Sequence, residues 1–444
     1  MRITSINLKN IGVFTDTRID FQPCPVEGKA EIHIFTGTNG SGKSTVLKAL
    51  AAAFEQVATI PDNSLVCPTD TNNLTKYMRT KGESSSATVC IEEKEKPYCI
   101  TYHNCPHGQP HIHLTSNEPE SIKIGRLALA MNYSITGKVF TSSLFAYSGY
   151  RSINFSNNRV GMIQNSRNPL YQSLEFIKEP NAAYTIENWI KASLLKRAYA
   201  EREELVQKQT NYNDIIKKLE YAISELMGKS VQFRLDASIR NPIIVYDNRE
   251  HNFEVLPDGL KSFVSWLADL CMRLDDMDWV DDIPIFERNI ILFLDEIEVH
   301  LHPEWQRKIL FVVQKLFPNA QIFISTHSPF VVNSVDGAWV YSLEVSNGEA
   351  KVRKTTLSQD GHSITNVLHD IFGVTEMFGL QVAEELQAFY ALRDKAQTDN
   401  LSQAEEKKLR GLAKKLAKEG TELQIIIQFE LKQISRQTQK NYAL

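Results

Sequence analysis

The sequence predicts an α/β fold of two lobes, interrupted by a short helical insertion and closed by an α-helical C-terminal tail. Three observations predict it. An apolar run (Ile32, Ile34, Phe35) enters the stretch GTNGSGKST, after which Val46, Leu47, Leu50 and Phe54 recur at helical spacing. A second apolar run, 290–294, ends in Asp295 and Glu296. Residues 185–227 and 363–440 carry helical periodicity and are rich in Glu, Lys and Gln. The chain divides on this pattern into a first lobe with the glycine-rich loop and an antiparallel sheet (1–184), a helical, short coiled-coil insertion (185–230), a second lobe (231–358) and a helical region for partner binding or oligomerisation (359–444).

Each element follows from local chemistry. Ile6 and Leu8, then Thr17, Ile19 and Phe21, alternate as two strands closed by Pro23 and Pro25. Runs 87–92 and 97–103 read as an antiparallel lobe. The insertion supplies two helices of about 20 residues, each about 30 Å long, too short for a long coiled-coil arm. A helix at 262–274, an acidic linker at 275–282, a helix at about 304–316 and a strand at 322–325 complete the second lobe. After Val345 the pattern is mostly helical. There KKLRGLAKKLAK sets Leu409, Leu412 and Leu416 on one face with six Lys/Arg around it, either a solvated helix face or a docking face for phosphates or an acidic partner.

Composition narrows the class. The chain has 444 residues, 42% apolar and 23% charged, ordinary for a globular protein with a sizeable core. It holds no apolar run long enough to span a bilayer, and MRITSINLKN lacks a signal-peptide core, so the expected location is cytoplasmic, away from membranes. Six scattered cysteines fit reduced thiols. A net charge of −4 excludes a globally basic nucleic-acid coat but leaves local basic patches open.

Two motifs carry chemistry. Gly37, Gly42, Lys43 and Ser44 satisfy G-x4-G-K-[ST], between an apolar strand and an amphipathic helix. Backbone N–H groups of such a loop cradle phosphates, and the helix N-terminus faces the same anion. Asn39, Gly40, Ser41, Gly42, Lys43, Ser44 and Thr45 are therefore the nucleotide-binding candidates, with Lys43 neutralising phosphate charge and Ser44 ligating Mg²⁺. Asp295 and Glu296 close the second apolar strand, where α/β sheets place ligands. Asp295 is the second Mg²⁺ candidate, and Glu296 the candidate base for an attacking water. His327, at the end of the strand in ISTHSPF, is a candidate contact to the γ-phosphate or that water.

Together these residues resemble the ABC-type ATPases of the SMC, RecF and overcoming-lysogenization-defect group, over about residues 1–345. The resemblance implies a P-loop ATPase head that uses ATP and Mg²⁺ and pairs head-to-tail, ATP lying between one P-loop and the partner's signature motif. The signature candidate is VLPDGLKSFVSWLADL, giving Asp258, Gly259 and Lys261 as nucleotide-contacting residues. Pro257 stands where the family usually has a serine and Asp258 where it has a glycine, which implies slow hydrolysis. LFAYSGYRS takes the place of the glutamine loop, with Gly149, Tyr150 and Arg151. LPDGLKS, GYR and GHSITNVLHDIFGV also resemble the ATPase subunits of Septu anti-phage systems and their retron-associated version. That resemblance implies a defence complex in which this chain senses and gates while a small HNH nuclease subunit cuts, with DNA or retron nucleic acid as a further partner and a homo-oligomer as the assembly. A RecF-like repair ATPase with ATP-dependent DNA binding is the alternative, and a transporter subunit a third reading. Cys99, His103, Cys105, His107, His111 and His113 form a Cys/His-rich stretch that is either a polar hairpin or a zinc site. His300 and His302 read as packing or subunit-interface residues.

Overall fold

The computed structural model describes residues 1–54, 58–59, 65–66, 84–93, 96–104, 111–115, 140–149, 173–174, 176, 182–202, 206–236, 241–358, 361, 363–374, 378–398, 401–438 and 442. Its first elements are β1 (Arg2–Ile11), β2 (Phe14–Asp20), β3 (Glu31–Gly37), α1 (Lys43–Ala52), β4 (Ala58–Thr59), β5 (Leu65–Val66), β6 (Ser85–Glu93), β7 (Lys96–Asn104), β8 (His111–Thr115) and β9 (Ser143–Ser148). There follow α2 (Ala182–Arg202), α3 (Val206–Met227), β10 (Gln232–Leu235), β11 (Pro242–Tyr246), β12 (Arg249–His251), α4 (Asp258–Asp275), β13 (Ile290–Asp295), α5 (Pro303–Gln306), α6 (Ile309–Leu316), β14 (Gln321–Ser325) and α7 (Pro329–Val332). The last are β15 (Trp339–Ser346), β16 (Glu349–Leu357), α8 (Ile364–Asp370), α9 (Leu380–Thr398), α10 (Gln403–Glu419) and α11 (Thr421–Thr438). Two compact units result, Met1–Val367 and Leu368–Leu444.

In the first unit a six-stranded sheet of order β16-β15-β3-β14-β13-β9 carries the site. β15, β3, β14, β13 and β9 run parallel, and β16 returns antiparallel. Every residue of β9, β13 and β14 is buried, as parallel strands covered on both faces require. A seven-stranded antiparallel sheet, β2-β1-β6-β7-β8-β5-β4, forms the lobe expected from the alternating runs, and β10–β12 make a small third sheet. The amide of Gln321 ties the two large sheets together. Its Oε1 accepts from the Ile3 N–H at 2.7 Å, and its Nε2 donates to Ile3 O at 2.8 Å and to Glu31 Oε1 at 2.6 Å.

Several expectations change. Cys90 and Cys99 are register partners on β6 and β7 and form a disulfide, so the reading of reduced thiols fails for this pair. The antiparallel register puts their Cα atoms 4.0 Å apart. Cys24 and Cys271 are free, while Cys67 and Cys105 lie outside the described residues. The disulfide removes Cys99 as a zinc thiolate. His103 and His111 are register partners on β7 and β8, but no group of three metal-capable side chains occurs among the described residues. The segment after Val345 is not helical at once: β15 and β16 form a hairpin whose turn residues, Asn347 and Gly348, have φ of 53° and 78°. The helix expected at 304–316 is two helices, broken where Lys308 takes φ −113°. α4 begins at Asp258, with Pro257 at its N-cap and an acidic first turn.

The second unit is a helical bundle around Phe389, Leu409, Leu416, Leu423, Ile427 and Ile434. The leucine face of the basic helix is spent on this core, with Leu409 and Leu416 fully buried. Arg410 and Lys415 pair with Glu406 and Glu385 of the same unit. Among the described residues no helix is long and apolar enough to cross a membrane.

Candidate nucleotide site

Register brings three strand ends level. β14 lies between β3 and β13, pairing Ser325 with Phe35 on one side and with Asp295 on the other. The glycine-rich loop and the acidic turn therefore leave the same C-terminal edge, where α/β sheets bind ligands.

The loop is shaped by backbone that only glycine tolerates. Gly42, the N-cap of α1, has φ 94°, and a Cβ there would sit 2.5 Å from the Phe14 ring. The turn between β1 and β2 thus closes over the loop. Lys43 is 5% exposed and folds back, its Nζ donating to Gly37 O and Thr38 O, both at 3.0 Å. Burial lowers its pKa, opposed by the charges of Glu296, Asp295 and Glu298. Ser41 Oγ is buried inside the loop with no protein partner, and α1 has no acid in its first turn to cancel its dipole. Asn39 and Gly40 are exposed at the loop tip, while the Thr45 side chain packs against Gly12.

The two motifs meet through one bond: Ser44 Oγ donates to Asp295 Oδ1 at 2.7 Å. Ser325 Oγ donates to the same oxygen. The Glu296 N–H in turn donates to Ser325 O at 3.1 Å and to Ser325 Oγ at 3.0 Å. Glu296 has φ 50°, a left-handed conformation that costs a non-glycine residue about 1 kcal/mol or more and that clusters at functional sites. Two hard oxygen donors, Ser44 and the 8% exposed Asp295, are thus placed together beside a carboxylate and a lysine.

His327 follows β14 and is exposed. Partial burial of the ring and the nearby Lys43 charge lower its pKa, with Asp295 opposing. The acidic turn is wedged between two glycines. A Cβ on Gly149 would lie 2.2 Å from Glu296 O, and one on Gly259 would lie 2.4 Å from His300 O. His302 caps α5, its Nδ1 accepting from the Glu304 N–H at 3.3 Å.

Lys43, Ser44, Asp295 and Glu296 thus gather at one sheet edge. At the start of α4, Gly259 abuts the far end of the acidic turn at His300, and Lys261 Nζ reaches Asp258 Oδ1 at 3.5 Å. Among the described residues no hydrogen bond joins these three to the glycine-rich loop. Tyr150 and Arg151 lie outside the described residues. Sequence reasoning passed over Ser325, Glu298 and Gln306. Ser325 was visible as a hydroxyl at a strand end. Glu298 and Gln306 act through contacts across the fold that no spacing announces.

A glycine-rich loop between a parallel strand and a helix, with an acidic strand end two strands away, defines the P-loop α/β class. The chain belongs to the AAA-domain family, whose model matches residues 5–236, and a second AAA-domain model matches residues 143–333. It is 26% identical over 185 residues to the Septu protein PtuA of Bacillus thuringiensis, covering 40% of this chain and 47% of that one. It is 26% identical over 175 residues to the "Retron Vc95 probable ATPase" of Vibrio cholerae, covering 37% of this chain and 34% of that one. The matched segments therefore span less than half the length of these relatives. Among solved structures, the SMC head domain from Thermotoga maritima aligns with a TM-score of 0.43 at 14% identity, covering 81% of this chain and 100% of that one.

Proposed function

We propose that this chain binds and hydrolyses ATP as the sensor and regulator subunit of an anti-phage defence complex, governing a separate HNH-type nuclease. The observation that carries the ATPase part is the Ser44–Asp295 bond, which joins the glycine-rich loop to the acidic strand end across β14. The residues fit Mg²⁺ and a polyphosphate. Ser44 and Asp295 offer paired hard oxygens, Ser41 holds an orphan hydroxyl inside the loop, and the α1 dipole is uncancelled.

Ser44 and Asp295 would hold Mg²⁺, which supplies charge neutralisation on the phosphate oxygens. Lys43 exchanges its two carbonyl partners for phosphate, a gain for a buried ammonium. Glu296 takes the proton of the attacking water, held in place by its N–H bonds to Ser325. His327 offers a ring N–H at the γ-phosphate end. Asp258, Gly259 and Lys261 complete the site of a second copy, which makes the working unit a head-to-tail homodimer. The defence part rests on the relatives' names, Septu PtuA and a retron ATPase.

Purification of the tagged full chain from its source cell, with mass spectrometry and nucleic-acid extraction, tests the assignment. A small HNH protein in near-stoichiometric amount is the expected result. DNA and repair proteins without a nuclease would overturn it in favour of a RecF-like role.

A further inference from the structure

We propose that Glu298 is a positioning residue for ATP hydrolysis, fixing His327 at the reacting edge by accepting its backbone N–H; this rests on the ATPase reading above. The three backbone donors that follow β14 account for the geometry. The Thr326 N–H donates to Phe35 O at 3.1 Å, holding the chain to β3. The Ser328 N–H turns inward to Thr326 Oγ1 at 2.9 Å. Between them the His327 N–H donates to Glu298 Oε1 at 2.6 Å. The acidic turn thus reaches His327 through one carboxylate.

That carboxylate is not a surface group. Glu298 is 9% exposed, and its Oε2 is buried with no hydrogen-bond partner. Burial of an unpaired polar atom costs about 1–3 kcal/mol, so its retention asks for a reason. The side chain belongs to the charge cluster of the site, since its field reaches Lys43 and it feels Glu296 in turn. Burial pushes its pKa up, and hydrogen bonds from the His327 N–H, its own backbone N–H and the Thr326 hydroxyl oppose this. Glu298 also shapes its own turn, its carbonyl accepting from the Leu301 N–H at 2.9 Å. A second tie runs alongside: Gln306 Nε2 donates to Leu301 O at 2.8 Å while its Oε1 accepts from Ser328 Oγ at 2.6 Å. The turn at 296–301 and the segment at 326–328 are therefore stapled twice, and only the Glu298 staple ends on His327.

Steady-state ATP turnover of the full chain tests this with Glu298→Ala, Glu298→Gln, His327→Ala and the Glu298→Ala/His327→Ala pair. Misplacing a reacting group by about 1 Å costs up to about 100-fold, so Glu298→Ala is expected to lower kcat about 10- to 100-fold with KM for ATP changed less than about threefold. Glu298→Gln keeps an acceptor of the same shape and is expected to recover kcat to within about threefold of the native chain. In the His327→Ala background the added loss is expected to be under about twofold, because the two residues act as one unit. Should Glu298→Ala not fold, Glu298→Asp, one methylene shorter, takes its place with the same expected loss. Additive losses, or a Glu298→Ala protein with native kcat, would overturn the inference while the ATPase reading stands. Absence of ATP turnover in the native chain would overturn both.

Discussion

Replacing Gly149 by alanine should slow hydrolysis without touching the phosphate loop. Gly149 follows β9 and lies against the carbonyl of Glu296. An added Cβ would stand 2.2 Å from Glu296 O and 3.0 Å from Glu296 Cβ, where ordinary contact begins at 3.4 Å. Glu296 must therefore retreat by about 1.2 Å, because the obstacle is backbone and not a side-chain end. No left-handed φ complicates the substitution. A displacement of that size at the proposed base corresponds to a loss of about 100-fold in kcat, or about 2.7 kcal/mol of barrier. Overpacking adds a stability cost of about 1–3 kcal/mol. Nucleotide affinity should change little, since Lys43 and Ser44 are not the atoms displaced. Turnover by phosphate release, affinity by a fluorescent ATP analogue and folding by thermal melting would be measured together. A folded Gly149→Ala protein with native kcat would refute the reasoning that the glycine sets the position of Glu296.

Two further outcomes are expected. The Glu187 carboxyl is pushed up to about 7 by burial, with the Glu254 charge adding to the effect. The folded state therefore binds the proton more tightly than the unfolded chain, and stability is lost as pH rises from about 4.5 to about 7. Glu187→Gln should raise Tm by about 2 °C at about pH 8, from about 1 kcal/mol after allowance for solvent screening, and leave it unchanged at about pH 4; a gain at both would contradict this. In the second unit Leu416 is fully buried and Ile425 is 64% exposed. Leu416→Ala should cost about 2–5 kcal/mol in urea unfolding and Ile425→Ala less than about 0.5 kcal/mol, and similar costs would contradict the bundle core.

Much of the fold could be read from sequence, because its signals are local. The strand–loop–helix around Lys43 and the acidic end of β13 rest on periodicity and on residue types that tolerate few other uses. The Asn347–Gly348 turn is equally local, a two-residue hairpin signal in EVSNGEAKV, and the Lys/Glu/Gln-rich helical pattern that dominates from residue 363 onward draws attention away from it. The disulfide was hidden for a different reason. Only the register of β6 against β7 sets Cys90 opposite Cys99, and spacing alone does not fix that register. The same holds at the site. Glu298, Gln306, Gly149 and Gly259 each contact a partner brought near by the sheet edge, so those contacts emerge only once β14 stands between β3 and β13. The division of the chain shows a related effect. The glycine-rich loop and the acidic turn sit far apart in sequence, yet their strands share one parallel sheet.

The central claim is that Glu296 accepts the proton of the attacking water. Its most direct test is a single-turnover measurement with Glu296→Gln, following bound ATP and released phosphate in the same sample. The account predicts ATP retained at native affinity with release slowed about 100-fold or more. Native release by Glu296→Gln would contradict it.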